Sequence, residues 1–286
     1  MRVMFVDVGG LRARCLYEGA GYPLLLIHGV GLSADIWLRN IDTLARDFHV
    51  CAPDLPGHGF THALDYGDDP PHPHLVEHLA RLVDKLGIDR FAVAGSSFGG
   101  LLSGLLYFRM PERIEKLIII GSGAAFNTEE EWRRVVAQVK KNGLAAVADP
   151  TLEGCRARMA NICFDAQMVP EEILHLQLTS YAMTEVTTGY RRTIEGMADI
   201  EATRPYRIRE RLEEISVPTQ IIWGRDDTRG IFERAVEAAN RLPRSDLVVF
   251  ERCGHLPFLE YPDQFNKCVR DFLLPVAAMQ MESRHA

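Results

Sequence analysis

The sequence predicts an α/β protein whose mostly parallel, eight-stranded sheet is flanked by helices and interrupted by a long helical segment. Short, continuous apolar runs alternate with amphipathic helical patterns from residue 22 to residue 123, as expected for a parallel sheet covered on both faces. From residue 124 to residue 214 the signals are almost all helical, and the alternation resumes at Thr219. A chain of 286 residues is long enough for one such core with an inserted subdomain.

The strands are predicted from runs of β-branched and other apolar residues that end in turn residues. The first two are joined by Gly9-Gly10, a two-residue hairpin signal. The remaining six have the wider spacing of strand–helix–strand units. The eight expected strands are residues 3–8, 11–17, 24–27, 50–52, 91–94, 116–120, 219–223 and 247–250.

Helices are predicted where apolar residues recur three and four positions apart. In the α/β part these are residues 33–46, 75–86, a helix from Phe98 onward, 231–242 and 262–274. Inside the interruption, Thr128 before three glutamates indicates a helix start, since a threonine caps free amides and acids favour the first turn. The expected domains are a core of residues 1–123 and 215–275, a helical insertion of residues 124–214 and a loosely ordered tail of residues 276–286.

Composition narrows the classes of partner. The net charge is −7 and no basic cluster occurs, which argues against nucleic acid or an anionic membrane as a partner. The six cysteines form no C-x-x-C pair, so neither a zinc site nor a disulfide framework is expected. No run approaches the roughly 18 apolar residues of a membrane helix, and the N-terminus resembles a strand rather than a signal peptide. We expect a cytoplasmic protein that acts on a small-molecule substrate, and the sequence leaves a homodimer open.

The pentapeptide Gly95-Ser96-Ser97-Phe98-Gly99 lies between a predicted strand and a predicted helix. This pattern is typical of the nucleophile elbow, in which a sharp turn exposes a serine at the sheet edge. Small flanking residues permit the strained backbone of such a turn. The helix that follows directs free amides and its dipole at a developing anion. Ser97 is therefore the candidate nucleophile.

An activated serine needs a base, a group that orients the base, and donors for the oxyanion. His255 follows the strand at 247–250, and Asp227 follows the strand at 219–223. The chain order Ser97, Asp227, His255 differs from the orders of the two common serine protease classes. Because reactive groups gather at the carboxyl ends of parallel strands, we expect these three side chains to converge.

With these motifs the chain resembles the α/β-hydrolase fold enzymes, from His28 to Phe265. The resemblance implies an α/β-hydrolase fold with a helical cap in place of the insertion, and no cofactor or metal. It also implies that the backbone amides of Val30 and Phe98 form the oxyanion hole. The motifs that carry it are His28-Gly29-Val30-Gly31, Asp54-Leu55-Pro56-Gly57-His58-Gly59, Gly95-Ser96-Ser97-Phe98-Gly99-Gly100, Gly224-Arg225-Asp226-Asp227 and the segment from Gly254 to Pro262.

Some neighbouring residues are assigned other roles. Asp226 competes with Asp227 for the acid, and the family pattern favours Asp227 because it lies three residues after Gly224. His28 and His58 are expected to be structural. A metal site at His72, His74 and His78 is not expected, because no cysteine or acid cluster lies nearby.

The resemblance implies a hydrolase of a carboxylic ester or lactone with a largely hydrophobic substrate. The chain is also similar to hydrolases that cleave a carbon–carbon bond in meta-ring-fission products (2-hydroxy-6-oxo-dienoates). Those usually have asparagine before the nucleophile and an arginine in the cap, where this chain has Ser96 and, by rough alignment, Gln177. Arg156, Arg158, Arg191 and Arg192 nevertheless remain in the cap. A non-catalytic ligand-binding member of the fold is the alternative from another class.

The substrate pocket is expected where the cap meets the loops of the core. Its walls are expected to be apolar, and a few cap residues should face it. The residues assigned to it are Gly29, Gly31, Trp132, Met159, Phe164, Tyr181 and Leu256.

Overall fold

The computed structural model describes the backbone of residues 1–283 and the side chains of residues 1–274. Its centre is an eight-stranded sheet with the order β1-β2-β4-β3-β5-β6-β7-β8. The strands are β1 Arg2–Val8, β2 Leu11–Glu18, β3 Tyr22–Ile27, β4 Phe48–Pro53, β5 Phe91–Ser96, β6 Ile114–Ile120, β7 Thr219–Gly224 and β8 Ser245–Phe250.

The sheet is antiparallel only at its first edge. β1 pairs with β2 and β2 with β4 in antiparallel register, and the other neighbouring pairs are parallel. Gly9 and Gly10 join β1 to β2 with φ of 66° and 89°, values that a two-residue hairpin turn requires and that glycine adopts without strain. The predicted eight-stranded, mostly parallel sheet is confirmed.

Helices outside the insertion pack on the sheet. α3 packs against β5 and β6, α10 against β7 and β8, and α2 against α3 and β1. The central strands are buried along their length, which explains their unbroken apolar runs. These helices are α1 Ile41–Leu44, α2 Pro71–Lys85 and α3 Phe98–Arg109 before the insertion, and α10 Phe232–Arg241, α11 Pro257–Glu260 and α12 Pro262–Ser283 after it.

Between β6 and β7 the chain forms helices and turns that cover the sheet edge. The helices are α4 Gly123–Phe126, α5 Glu129–Ala148, α6 Leu152–Ala160, α7 Glu171–Tyr181, α8 Thr184–Ala198 and α9 Ile200–Thr203. α5 starts in a capping box, in which Thr128 and Glu131 each bind the other's backbone amide. We call residues 124–214 the cap.

The structure departs from the sequence prediction at both ends of the core. Residues 33–46 form a 3-10 turn at Ala34–Trp37 and the short α1, because Asp35 and Asn40 bond to distant parts of the chain instead of continuing one helix. α12 continues past Pro275 to Ser283, through most of the predicted tail 276–286, and residues 284–286 lie outside the described residues. Within the described chain, no helix is long and apolar enough to cross a bilayer.

Candidate active site

The carboxyl ends of the parallel strands bring the candidate residues to one edge of the sheet. Ile27 of β3 pairs with Gly95 of β5, and Gly224 of β7 pairs with Phe250 of β8, so these strands end at a similar height. The loops that follow carry Val30, Ser97, Asp227 and His255. The parallel topology therefore brings together residues that are far apart in sequence.

Ser97 occupies the turn between β5 and α3 with φ 55° and ψ −119°, a strained conformation for a residue with a side chain. Its amide donates to the carbonyl of Ile120 on the next strand at 2.8 Å. A side chain at Gly95 would overlap the carbonyl oxygen of Gly99, and one at Gly99 would overlap that of Ile27. The two glycines are required because strand and helix approach each other so closely at the turn.

His255 and Asp227 form a hydrogen-bonded pair beside this turn. His255 Nδ1 lies 2.8 Å from Asp227 Oδ2, and the Asp227 side chain is completely buried. The second oxygen, Oδ1, accepts the backbone amide of Arg229 at 2.7 Å. Asp226, the rival acid, is exposed at the surface. The geometry thus pairs the histidine with Asp227, and an ionised carboxylate there favours the tautomer with its proton on Nδ1.

Ser97 and His255 line the same cavity, which has an empty volume of about 650 Å³. We call it the Ser97 cavity. No hydrogen bond joins Ser97 Oγ to His255 among the described contacts, and such bonds often tighten only when substrate binds. The apolar walls of the Ser97 cavity come from both core and cap. They are formed by Val30, Leu32, Phe98, Ala124, Trp132, Val135, Val139, Ile162 and Met197.

Two residues that line the Ser97 cavity have backbone amides without an acceptor among the described residues. Phe98 is the first residue of α3, so its amide has no acceptor within the helix. Val30 also donates no backbone hydrogen bond, and both residues line the Ser97 cavity. His28 supports the loop below Val30, with Nδ1 2.8 Å from the Gly29 carbonyl and Nε2 2.9 Å from the Leu55 amide. Burial lowers the pKa of His28 to about 4, so the ring stays neutral and can fill both bonds.

Sequence reasoning overlooked Arg229, which lines the Ser97 cavity together with Arg158 of the cap. Arg158 Nη1 and Arg229 Nε are buried and have no hydrogen-bond partner among the described residues. Burial lowers the pKa of Arg229, and the charge of Arg158 lowers it further. Two guanidinium groups with unsatisfied donors beside a mostly apolar cavity favour an anionic group there. The sequence signal was the Thr228-Arg229-Gly230 segment directly after the acid.

The residues predicted to line the pocket lie in the Ser97 cavity, in a second cavity, or in neither. Gly29 and Trp132 do line the Ser97 cavity. Gly31 and Tyr181 line a second cavity, which has an empty volume of about 390 Å³ and which we call the Gly31 cavity. It lies beside the loop that carries Val30, the Val30 loop.

Three pocket predictions differ from the observed positions. Met159 and Leu256 are buried and line neither the Ser97 nor the Gly31 cavity, because both pack into the hydrophobic core. Phe164 is 45% exposed, because Glu260 binds its backbone amide and its ring turns outward toward Arg252.

Two other histidines considered in the sequence, His58 and His72, are held by packing. His58 is buried beside His28 and Tyr190, and His72 stacks on Tyr206 with its edge toward Phe98. Burial lowers the pKa of His58 and of His72 to about 3. Among the described residues, no group of three or more histidine, cysteine or acidic side chains is arranged to hold a metal ion.

A sequence model described as the alpha/beta hydrolase family matches residues 24–267. The chain belongs to the alpha/beta hydrolase family. This agrees with the order of its motifs, with its sheet topology and with the positions of Ser97, Asp227 and His255 at strand ends.

Relatives of the chain include enzymes of two functional groups. A 2-hydroxy-6-oxo-2,4-heptadienoate hydrolase of Pseudomonas putida is 30% identical over 94% of this chain and 95% of its own length. A pimeloyl-[acyl-carrier protein] methyl ester esterase of Legionella pneumophila is 29% identical over 89% of this chain and 96% of its own. Among solved structures, a 2-hydroxy-6-oxo-6-phenylhexa-2,4-dienoate hydrolase of Rhodococcus superposes with a TM-score of 0.78 at 26% identity, covering 95% of this chain and 99% of that one. The chain is therefore an α/β-hydrolase whose relatives include both ester and carbon–carbon bond hydrolases.

Proposed function

We propose that the protein is a serine hydrolase that cleaves a carboxylic ester or lactone of a small, largely hydrophobic substrate through an acyl-enzyme. The observation that carries the proposal is that Ser97 and the Asp227-bonded His255 line one cavity. The apolar walls of the Ser97 cavity favour a hydrophobic acyl or alcohol group.

In the first half of the reaction, Ser97 Oγ attacks the carbonyl carbon while His255 Nε2 takes the hydroxyl proton. Asp227 holds the proton on Nδ1 and stabilises the imidazolium that forms. The carbonyl oxygen becomes an oxyanion and binds the free amides of Val30 and Phe98. When the tetrahedral intermediate collapses, His255 protonates the leaving alkoxide and the acyl group stays on Ser97.

In the second half, a water molecule attacks the acyl-enzyme carbonyl while His255 accepts a proton from it. The same two amides bind the second oxyanion. When that intermediate collapses, the bond from Ser97 Oγ to the acyl carbon breaks, His255 returns the proton to Ser97 Oγ, and the carboxylic acid leaves. No group other than the residues named, the substrate and water takes part.

Cleavage of a carbon–carbon bond in a 2-hydroxy-6-oxo-dienoate is the second candidate. It is favoured by Arg158 and Arg229, which line the Ser97 cavity and each carry a buried nitrogen without a hydrogen-bond partner among the described residues, so their charges suit a substrate carboxylate. The relatives that act on dienoates add support. Ser96 and Gln177, which differ from the pattern expected in those enzymes, favour the ester reaction.

A serine-directed fluorophosphonate tests the shared chemistry. The purified protein should be labelled at Ser97, and Ser97→Ala should lose both the label and turnover, the latter by about 10⁶ as in other serine triads. Ser96→Ala, the matched control beside it, should keep the label. An unlabelled wild-type protein, or a Ser97→Ala variant that turns over normally, would show that Ser97 is not the nucleophile.

A substrate comparison separates the two reactions. Short p-nitrophenyl esters should be hydrolysed with higher kcat/KM than a 2-hydroxy-6-oxo-dienoate if the ester reaction is native. Arg229→Gln adds a second comparison. Loss of the guanidinium should lower kcat/KM only for substrates that carry a carboxylate. Preference for the dienoate, with an effect of Arg229→Gln on that substrate alone, would establish the second candidate instead.

A further inference from the structure

Three cap side chains bind the backbone of the loop that carries the Val30 amide. Tyr181 Oη donates to the carbonyl of Gly31 at 2.7 Å, and Gln177 Nε2 donates to the same carbonyl at 3.4 Å. Arg158 Nη2 donates to the carbonyl of Val30 at 3.1 Å. Two successive carbonyls of one core loop are thus held by α6 and α7 of the cap.

Residues of the core bind the preceding part of this loop, at Gly29. The Gly29 carbonyl lies 2.8 Å from His28 Nδ1 and accepts the Leu32 amide at 3.2 Å, which fixes the peptide plane that contains the Val30 N–H. The next two peptide planes, at Val30 and Gly31, have their carbonyls bound by the cap. The backbone torsions of Val30 are therefore set by the core on one side and by the cap on the other.

The fit between cap and loop is close. Gly31 has φ 70°, and a side chain there would lie 2.6 Å from Arg158 Nη2 and 2.9 Å from Tyr190 Oη. Tyr181 stacks on Tyr190 with ring centroids 6.1 Å apart, and Tyr190 in turn meets the edge of His58 in the core. Burial raises the pKa of Tyr181, so its hydroxyl stays protonated and remains a donor to Gly31.

We propose that the cap completes the oxyanion hole, with Tyr181 as the main positioning residue and Gln177 and Arg158 as its supports. The proposal rests on the role given above to the Val30 amide. An oxyanion hole is effective because its donors are fixed before charge develops, so a loop that is held less firmly stabilises the transition state less well. Tyr181 does not line the Ser97 cavity and is therefore expected to act through the loop rather than by touching substrate.

The test is Tyr181→Phe, which removes only the hydroxyl and keeps the ring stacked. Tyr66→Phe is the matched control, because it removes a buried hydroxyl that also joins core to cap, 3.0 Å from Thr193 Oγ1, but makes no contact with the Val30 loop among the described residues. On a p-nitrophenyl ester, Tyr181→Phe should lower kcat about tenfold, less than the 10²–10³ of a lost donor, and change KM by less than about twofold. Tyr66→Phe should keep kcat within about twofold of the wild type.

A boronic acid inhibitor adds a measurement that a packing role would not change. Its tetrahedral adduct with Ser97 places an oxygen in the oxyanion hole, so Tyr181→Phe should weaken its affinity by the same factor as kcat. Unchanged kcat and boronate affinity in folded Tyr181→Phe would overturn the proposal. So would a rise in KM with unchanged boronate affinity, since that would assign Tyr181 to substrate binding. Gln177→Leu, which removes the other donor to Gly31, replaces the first variant if that one does not fold and should show a smaller loss of both quantities.

Failure of this inference is distinguishable from failure of the proposed function. Ester turnover and fluorophosphonate labelling by the wild-type protein test the function. The ratio of kcat for Tyr181→Phe to kcat for Tyr66→Phe tests the role of the cap.

Discussion

Asp227→Asn should inactivate the protein, although asparagine has almost the same shape as the aspartate it replaces. In the structure one carboxylate oxygen of Asp227 accepts the Arg229 amide at 2.7 Å and the other lies 2.8 Å from His255 Nδ1. An asparagine has one acceptor and one donor end. The Arg229 amide is a fixed donor and takes the acceptor end, so the amide –NH₂ turns toward His255.

That orientation of the asparagine reverses the tautomer of His255. Facing a donor, Nδ1 must become the acceptor, and the ring proton moves to Nε2, which can then no longer take the proton of Ser97. In other serine triads the equivalent change lowers kcat by about 10⁴, and we expect a loss of that order here. Because the buried side chain keeps its volume and its bond to Arg229, the fold should persist.

The assay is steady-state hydrolysis of a p-nitrophenyl ester, with thermal unfolding as the check on folding. Asp226→Asn is the matched control, since that neighbouring carboxylate is exposed and its loss should leave kcat within about twofold. The reasoning is refuted if Asp227→Asn keeps more than a tenth of wild-type kcat, or if Asp226→Asn loses as much activity as Asp227→Asn.

Three further predictions concern the framework around the site. Asp54 is fully buried and binds Arg14 at 2.7 Å. Asp54→Ala should therefore lower the free energy of unfolding in urea by about 3–5 kcal/mol. Glu77→Gln, the control at an exposed ion pair, should lower it by less than about 1 kcal/mol. Burial lowers the pKa of His72 to about 3, below its usual 6.5, so the unfolded chain binds the proton first and stability should fall as the pH drops below 6.5. Between pH 7 and pH 5 the free energy of unfolding in urea should fall by about 2 kcal/mol more for the wild type than for His72→Leu, and equal falls would contradict the burial argument. Gly95→Ala should abolish fluorophosphonate labelling, because the new methyl group would overlap the Gly99 carbonyl and displace Ser97; normal labelling would show that the turn can relax.

Local chemistry made much of the molecule predictable from sequence. A strand covered on both faces needs an unbroken apolar run, as at β3, β5 and β6, and a strained turn needs small flanking residues, as at Gly95 and Gly99. These are constraints between residues close in the chain, and they determined the fold class and the candidate nucleophile. The chain order of motifs then supplied candidates for the base and the acid.

Contacts between segments that are distant in the chain determined the contacts of the acid, the positions of the pocket residues and the positions of the cap donors. The family pattern favoured Asp227 over Asp226, but only the folded chain shows the hydrogen bond between Asp227 and His255, which depends on the path of the loop after the strand. Phe164 and Met159 were predicted to line the pocket from their apolar character, yet one faces solvent and the other packs in the core, because apolar residues serve equally in cores and in pockets. The sequence did not show that Arg229 lines the Ser97 cavity or that Tyr181 and Gln177 bind the Gly31 carbonyl. Their positions depend on how the cap rests on the loops of the core, and that is a property of tertiary packing that no single stretch of the sequence encodes.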